Sequence, residues 1–477
     1  MADSSNKPKR EVKWIPLLIT ILIGIILWFI PSPDGVKAEA WHLFSIFVAT
    51  IIGLIIKPMP MGSVAILSLT AIVLTKTLGL EEALSGFSNS TIWLIVIAFF
   101  ISRGFIKTGL GSRIAYLFVR LFGKKTLGLS YSLIGSDLIL SPAMPSNTAR
   151  AGGIIFPIIQ SLSNSYGSKS GDGTERKIGS FLTFASYQGN GITSAMFLTA
   201  MAANPLAASA AESVTGQSIS WGSWILASIV PGIISLIVIP FVIFKLYPPE
   251  IKETPKATEM ATEKLQSMGK LKRSEWYMIG VFLLLLVLWI FGESFGIGST
   301  TAAFIGLVVL LLTEVLTWSD IKQEQGAWDT LVWFAVLVMM ANYLNELGLV
   351  PWFSDIMGNV VSTLSWPVAL LILAIVYFYS HYFFASNTAH VSAMYAAFLS
   401  VVVAAGAPPL LSALLLAFFS NLFGCLTHYG SGPAPVFFGA GFVTQQKWWG
   451  LGFIISIIHL VVWIGIGGLW WKLIGLW

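Results

Sequence analysis

The sequence predicts an all-α polytopic membrane protein, with eleven transmembrane helices plus two re-entrant hairpins in an inverted repeat. Three observations predict it: an apolar composition, the number and length of the apolar segments, and a polar tetrad that occurs twice. Of 477 residues, 56% are hydrophobic and 10% charged, whereas a soluble domain carries about 25% charged residues. The mean hydropathy is +0.82, and 19 Trp with 32 Phe suit a bundle with aromatic belts at both interfaces. A pI of 9.1 suits a nucleic-acid binder as well, but the basic residues lie in loops between apolar runs. The partner they imply is a lipid bilayer, with no nucleic acid. The single Cys425 sits in an apolar run, so it forms no internal disulfide and packs as a small hydrophobe.

Lys7, Lys9, Arg10 and Lys13 precede the first apolar run, 14–31. A signal peptide begins in the same way, but Pro31-Ser32-Pro33-Asp34 follows in place of a small-residue cleavage site, so the span is retained. No long Ser- and Arg-rich transit extension is seen, as expected of a bacterial plasma-membrane protein. Further spans are expected at 41–56, 60–75, 91–106, 178–203, 222–244, 275–292, 299–317, 328–345, 410–443 and 448–471. Two more stretches, 127–164 and 367–405, are long enough to enter the membrane and turn back. Near their middles lie Ser146-Asn147-Thr148-Ala149 and Ser386-Asn387-Thr388-Ala389. A turn at mid-depth explains polar residues inside apolar sequence.

Charge sidedness supports this count. With the N-terminus cytoplasmic, the C-terminus is outside, and every Lys and Arg is cytoplasmic except Lys37, Lys76, Lys472 and the intramembrane Arg150. Counting one hairpin as a single span would place the 245–273 loop outside, with its seven basic residues against four glutamates. The surroundings of the tetrads repeat as well. Thr91-Ile92-Trp93-Leu94 is echoed by Thr330-Leu331-Val332-Trp333, and Gly109-Leu110-Gly111 by Gly348-Leu349-Val350. Mixed segments suited to interfacial helices follow in each half. Equivalent spans run in opposite directions, an architecture common in secondary transporters.

Each hairpin is expected to present a half-helix N-terminus at mid-membrane, where free N–H groups and the positive dipole end favour an anion. Asn147, Thr148, Asn387 and Thr388 add donors, beside Ser146 and Ser386. Spans broken at Gln188-Gly189-Asn190-Gly191 and Tyr429-Gly430-Ser431-Gly432-Pro433 supply walls. Asn190, Gly191 and Thr193 stand on one side, and Thr427, His428, Gly430 and Ser431 on the other. Two facing tips suit the two ends of a short dianion. A base follows each tetrad, Arg150 and His390, which reads as a fixed positive charge. For Arg150 an ion pair with Asp137 is the other reading, and for His390 neutral packing. His381 and His459 read as ordinary buried residues. HExxH, G-x-S-x-G and a pair of intramembrane aspartates do not occur, so neither catalysis, a metal nor a cofactor is expected.

The paired SNT hairpins, glycine-broken spans and inverted repeat resemble the divalent anion transporters of the DASS family. The run Asn421-Leu422-Phe423-Gly424-Cys425-Leu426-Thr427-His428-Tyr429, continuing to Gly439-Ala440-Gly441, is similar to the branch holding plastid 2-oxoglutarate/malate translocators and bacterial dicarboxylate exchangers. The resemblance implies a homodimer whose transport domain moves like an elevator against a scaffold. Scaffold parts would be 1–111 and 274–350, and transport parts 126–244 and 366–477. Interfacial helices at 112–125 and 351–365 and a cytoplasmic linker at 245–273 would connect them. Substrate contacts carry over to Asn147, Thr148, Asn387 and Thr388. Sodium-coupled members have a small or neutral residue after SNTA, and Arg150 and His390 depart from that. The expectation is antiport of C4/C5 dicarboxylates (succinate, malate, fumarate, 2-oxoglutarate) with fixed cations in place of sodium. The alternative is a sodium-coupled dicarboxylate or citrate symporter of the same fold.

Overall fold

A computed structural model describes residues 12–361 and 364–477. Lys7, Lys9 and Arg10 lie outside the described residues, as do two positions of the expected 351–365 interfacial segment. Among the described residues the chain is helical apart from one isolated bridge, Lys125 to Glu253. Nine helices there are long and apolar enough to cross a membrane. Helices Trp14–Phe29, Met61–Leu74 and Ser299–Leu312 are apolar but shorter. Two of the nine, Trp366–Phe383 and Asn387–Ala404, are the arms of the expected outer hairpin, and they pack against each other. The inner hairpin is built from Thr126–Leu140, Asn147–Arg150 and Phe156–Ser165.

Both hairpins carry a feature that periodicity does not announce. Directly after each tetrad and its base, one turn widens to π-helical pitch, over Ala151–Ile155 and Val391–Tyr395. The two wide turns are related by the same 240-residue offset as the tetrads. Such turns are frequent at functional sites, and a third lies in the last span, at Val461–Ile466.

The first broken span differs from the expectation. Helix Gly179–Met196 runs straight through Gln188-Gly189-Asn190-Gly191, and the break falls later, between Phe197 and Ala202. Glycine here serves close packing: a Cβ on Gly189 would collide with Ile134 of the hairpin arm. The break is possible because side chains receive the freed carbonyls. Asn204 Nδ2 donates to Ser194 O and Phe197 O at 2.8 and 2.9 Å. Trp224 Nε1 donates to Ala195 O at 2.9 Å and Ser228 Oγ to Met196 O at 2.7 Å. A helix end buried without such donors would be prohibitive in lipid. In the second half the break lies at Thr427–Pro433, as the sequence predicts.

The 245–273 segment is more ordered than a charged linker suggests. Its helix Pro255–Met268 packs on helix Leu110–Phe122. Arg113 of Leu110–Phe122 pairs with Glu275 in helix Arg273–Phe291, Nε to Oε1 at 2.6 Å, and also donates to Gly269 O at 2.9 Å. Glu275 is 1% exposed and Arg113 7%. Removing one partner leaves a buried charge unmatched, at a cost of about 3–5 kcal/mol. Arg113→Met should therefore lower the melting temperature in detergent clearly, and the double variant Arg113→Met/Glu275→Leu should recover most of the loss. An unchanged melting temperature in the single variant would remove this anchor from the fold.

Candidate functional site

The tips are formed by the tetrads, as expected, but their side chains divide the work. Ser146 Oγ accepts from Ala149 N at 3.1 Å and Ser386 Oγ from Ala389 N at 3.4 Å. Both serines are thus N-caps of the half-helices. Asn147 and Asn387 line a narrow cavity of about 10 Å³ together with Asn190, Gly191, Gly424 and Ser431. That is room for about one water, so the walls must part to admit a dicarboxylate. Ser146, Asn147, Thr148, Ser386 and Thr388 are half-buried, and Asn387 is buried.

The two halves interlock around this cavity. Tyr187 Oη of the first half donates to Gly424 O of the second at 2.5 Å and meets Ser431 Oγ at 3.0 Å. Gly432 lets the first tip seat closely: a Cβ there would meet Thr148 Oγ1 and oblige that hydroxyl to turn.

Arg150 is not an uncompensated charge, which corrects the expectation of a fixed free cation. It is fully buried and does not line the cavity. Its Nε donates to Asp137 Oδ1 at 2.9 Å, and its terminal nitrogens donate to Ala200 O at 2.7 Å, Ser194 Oγ at 2.9 Å and Met144 O. Asp137 in turn accepts from Asn190 Nδ2 at 3.1 Å and from Thr193 Oγ1. Low dielectric dictates the arrangement, since an unpaired guanidinium costs several kcal/mol there.

His390 also departs from expectation. None of the ion pairs among the described residues includes it. Its ring lies between Phe384 and Phe423, with centroids at 4.4 and 4.5 Å. Its Nδ1 meets Nδ1 of His381 at 3.0 Å, and its Nε2 meets Ser380 Oγ at 3.1 Å. His381 Nε2 donates to Gly430 O at 2.6 Å, so a neutral His381 offers a bare Nδ1 to a proton on His390. Two protonated rings would oppose N–H to N–H, so the pair holds at most one positive charge.

The remaining expected residues scatter. Thr193 is spent on Asp137, and the Gly430 carbonyl on His381. Thr427 is buried away from the cavity. His428 turns aside, accepting from Trp449 Nε1 at 3.0 Å and packing on Phe438. Sequence reasoning missed Tyr187, Asn204, Met201 and His459. The available signal for Asn204 was a lone amide in the apolar run before Pro205.

Comparison with known proteins identifies the family. The profile of the sodium:sulfate symporter transmembrane region matches residues 11–477. A putative malate transporter, YflS of Bacillus subtilis, is 68% identical over the whole of both chains. The chloroplastic dicarboxylate transporter 1 of Spinacia oleracea is 54% identical over 97% of this chain and 82% of its own length. The citrate/succinate antiporter of Escherichia coli is 34% identical over 97% and 98%. The YdaH transporter of Alcanivorax borkumensis shares the fold, with a TM-score of 0.55 at 11% identity, over 96% of each chain. With a match spanning nearly every residue, the chain belongs to the sodium:sulfate symporter family of divalent anion transporters, a transporter and not an enzyme.

Proposed function

We propose that this protein exchanges C4 and C5 dicarboxylates (succinate, malate, fumarate, 2-oxoglutarate) across the plasma membrane without sodium. The anchorage of Arg150 carries the reading. A mobile hard cation holding the inner hairpin to the broken span would need oxygen ligands such as Asp137, Met144 O and Ala200 O. A covalently attached cation has taken them, so the hairpin stays anchored whether the site is loaded or empty. The relatives, a putative malate transporter, a dicarboxylate transporter and a citrate/succinate antiporter, support the substrate class.

Because Asp137 balances Arg150, the barrier to empty return rests on hydrogen bonding and not on a stranded cation. An emptied site keeps without an anion two half-helix N-termini and the second amide hydrogens of Asn147 and Asn387, whose first go to Met201 Sδ at 3.4 Å and Ser420 O at 2.9 Å. A few unsatisfied donors at about 1–3 kcal/mol each add on the order of 4 kcal/mol, slowing return roughly a thousandfold. A second dicarboxylate removes that penalty.

The motion we propose is an elevator within a homodimer, the transport parts 126–244 and 366–477 sliding against scaffold parts 1–111 and 274–350. The N-terminus is cytoplasmic and the C-terminus outside, with eleven spans. Cross-half bonds such as Tyr187 to Gly424 support a transport unit that moves whole. An apolar cavity of about 430 Å³ supports a sliding surface. Phe44, Phe47 and Ile51 form one wall, facing Ala393, Ala396 and Ala397 of the outer hairpin.

Uptake of radiolabelled succinate into proteoliposomes tests the reading. Vesicles preloaded with unlabelled dicarboxylate should accumulate label at least about tenfold faster than empty ones, with sodium or choline outside alike. Robust uptake into empty vesicles under an inward sodium gradient would establish the symporter instead. Asn147→Ala and Asn387→Ala should each weaken apparent affinity at least about tenfold, the scale of a lost charge-assisted hydrogen bond. Wild-type affinity in either variant, measured in the same exchange assay, would remove that tip from the site.

A further inference from the structure

One wall of the central cavity carries acceptors where an anion site would be expected to carry donors. Asn204 spends both amide hydrogens on Ser194 O and Phe197 O, so its Oδ1 can only accept. Asn421 Nδ2 supplies that bond at 2.7 Å and gives its second hydrogen to Ala417 O at 3.2 Å. Reversing the Asn421 amide would set its oxygen against two acceptors. The orientation is therefore fixed by the neighbours. Asn421 Oδ1 is left with no hydrogen-bond partner, in a residue 2% exposed that lines the cavity. Gln188 repeats the pattern: Nε2 faces Cys425 O at 3.4 Å and Oε1 has no partner, again at 2% exposure on the same cavity.

A buried acceptor without a partner is costly, and a carboxylate beside it makes matters worse. Carboxylates belong with the amides and N–H groups of the tips. The orphan oxygens require a donor: one water fills that need in the closed cavity, and on a bound dicarboxylate backbone the donor that can replace it is a hydroxyl.

We infer that Asn421, with Gln188, reads a hydroxyl on the transported dianion, so that the site prefers a 2-hydroxydicarboxylate to its unsubstituted or 2-oxo counterpart. The inference rests on the dicarboxylate reading above and adds the residues that discriminate within that class. A 2-oxo group presents a lone pair to the same oxygens and gains nothing there. Sites built to hydrogen-bond a substrate hydroxyl reject analogues lacking it because their own polar groups are then left unpaired.

The test is competition for labelled succinate uptake by preloaded proteoliposomes, using L-malate, succinate, 2-fluorosuccinate and 2-oxoglutarate. Fluorine nearly matches the hydroxyl in size but cannot donate. L-malate should reach half-inhibition at a concentration at least about tenfold below the other three. In Asn421→Ala the ratio of malate to succinate half-inhibition should fall to within about threefold, a change that general loosening of the helix would not produce. Equal competition by malate and 2-fluorosuccinate in the wild type overturns the inference, even if the variant does not fold. So does a malate preference retained in Asn421→Ala, or one that appears only with sodium, which would make the orphan oxygens cation ligands. Absence of wild-type uptake of every dicarboxylate would instead remove the substrate class itself.

Discussion

The burial of one arginine opposite one aspartate organises the centre of this protein. Arg150 and Asp137 lie in a medium where neither charge is tolerable alone. Satisfying both draws in the hairpin turn through Met144 O, the far side of the broken helix through Ala200 O, and that helix itself through Ser194, Asn190 and Thr193. The first tip is therefore held in part by a bond that also satisfies the broken helix, Arg150 to Ala200 O, beside the donors of Asn204, Trp224 and Ser228. Position, break and charge balance are one problem with one solution.

Much of the fold was legible because lipid imposes simple rules. Span boundaries follow from apolar length, and the hairpins from polar residues that only a turn at depth can accommodate. The expected run 222–244 is observed as Trp221–Leu246, and 328–345 as Gln325–Glu346. The glycines at 189 and 191 misled for a physical reason: glycine permits a break and also permits contact, and only three-dimensional neighbours such as Ile134 reveal which is in force.

The site was legible in outline and not in its electrostatics. The tetrads identify the tips, but whether Arg150 is free depends on a carboxylate thirteen positions away that the hairpin turn brings to it. The partner of His390 is His381, which reads in the sequence as an ordinary buried residue, nine positions earlier on the other side of the tip. Tyr187 was invisible because it acts across the fold, on Gly424 and Ser431 of the other half, which no linear motif records. On the proposed reading an anion in the cavity is held by dipoles and amides more than by formal charge, because Arg150 does not line it, which suits a carrier that must release its cargo.

The widened turns after each tetrad bear on how such chains can diverge. A π turn holds one residue more than the α-helix that would otherwise run there. Winding the same five residues of 151–155 or 391–395 at regular pitch, with none deleted, would rotate the preceding tip by roughly 100° about the helix axis. Asn147 or Asn387 would then leave the cavity, and Arg150 or His390 would leave its partner. Length and pitch are therefore tied in these ten positions: a residue can be lost only if the turn tightens with it. The reading frame of the helix, more than the identity of any side chain in it, is what descent must preserve there.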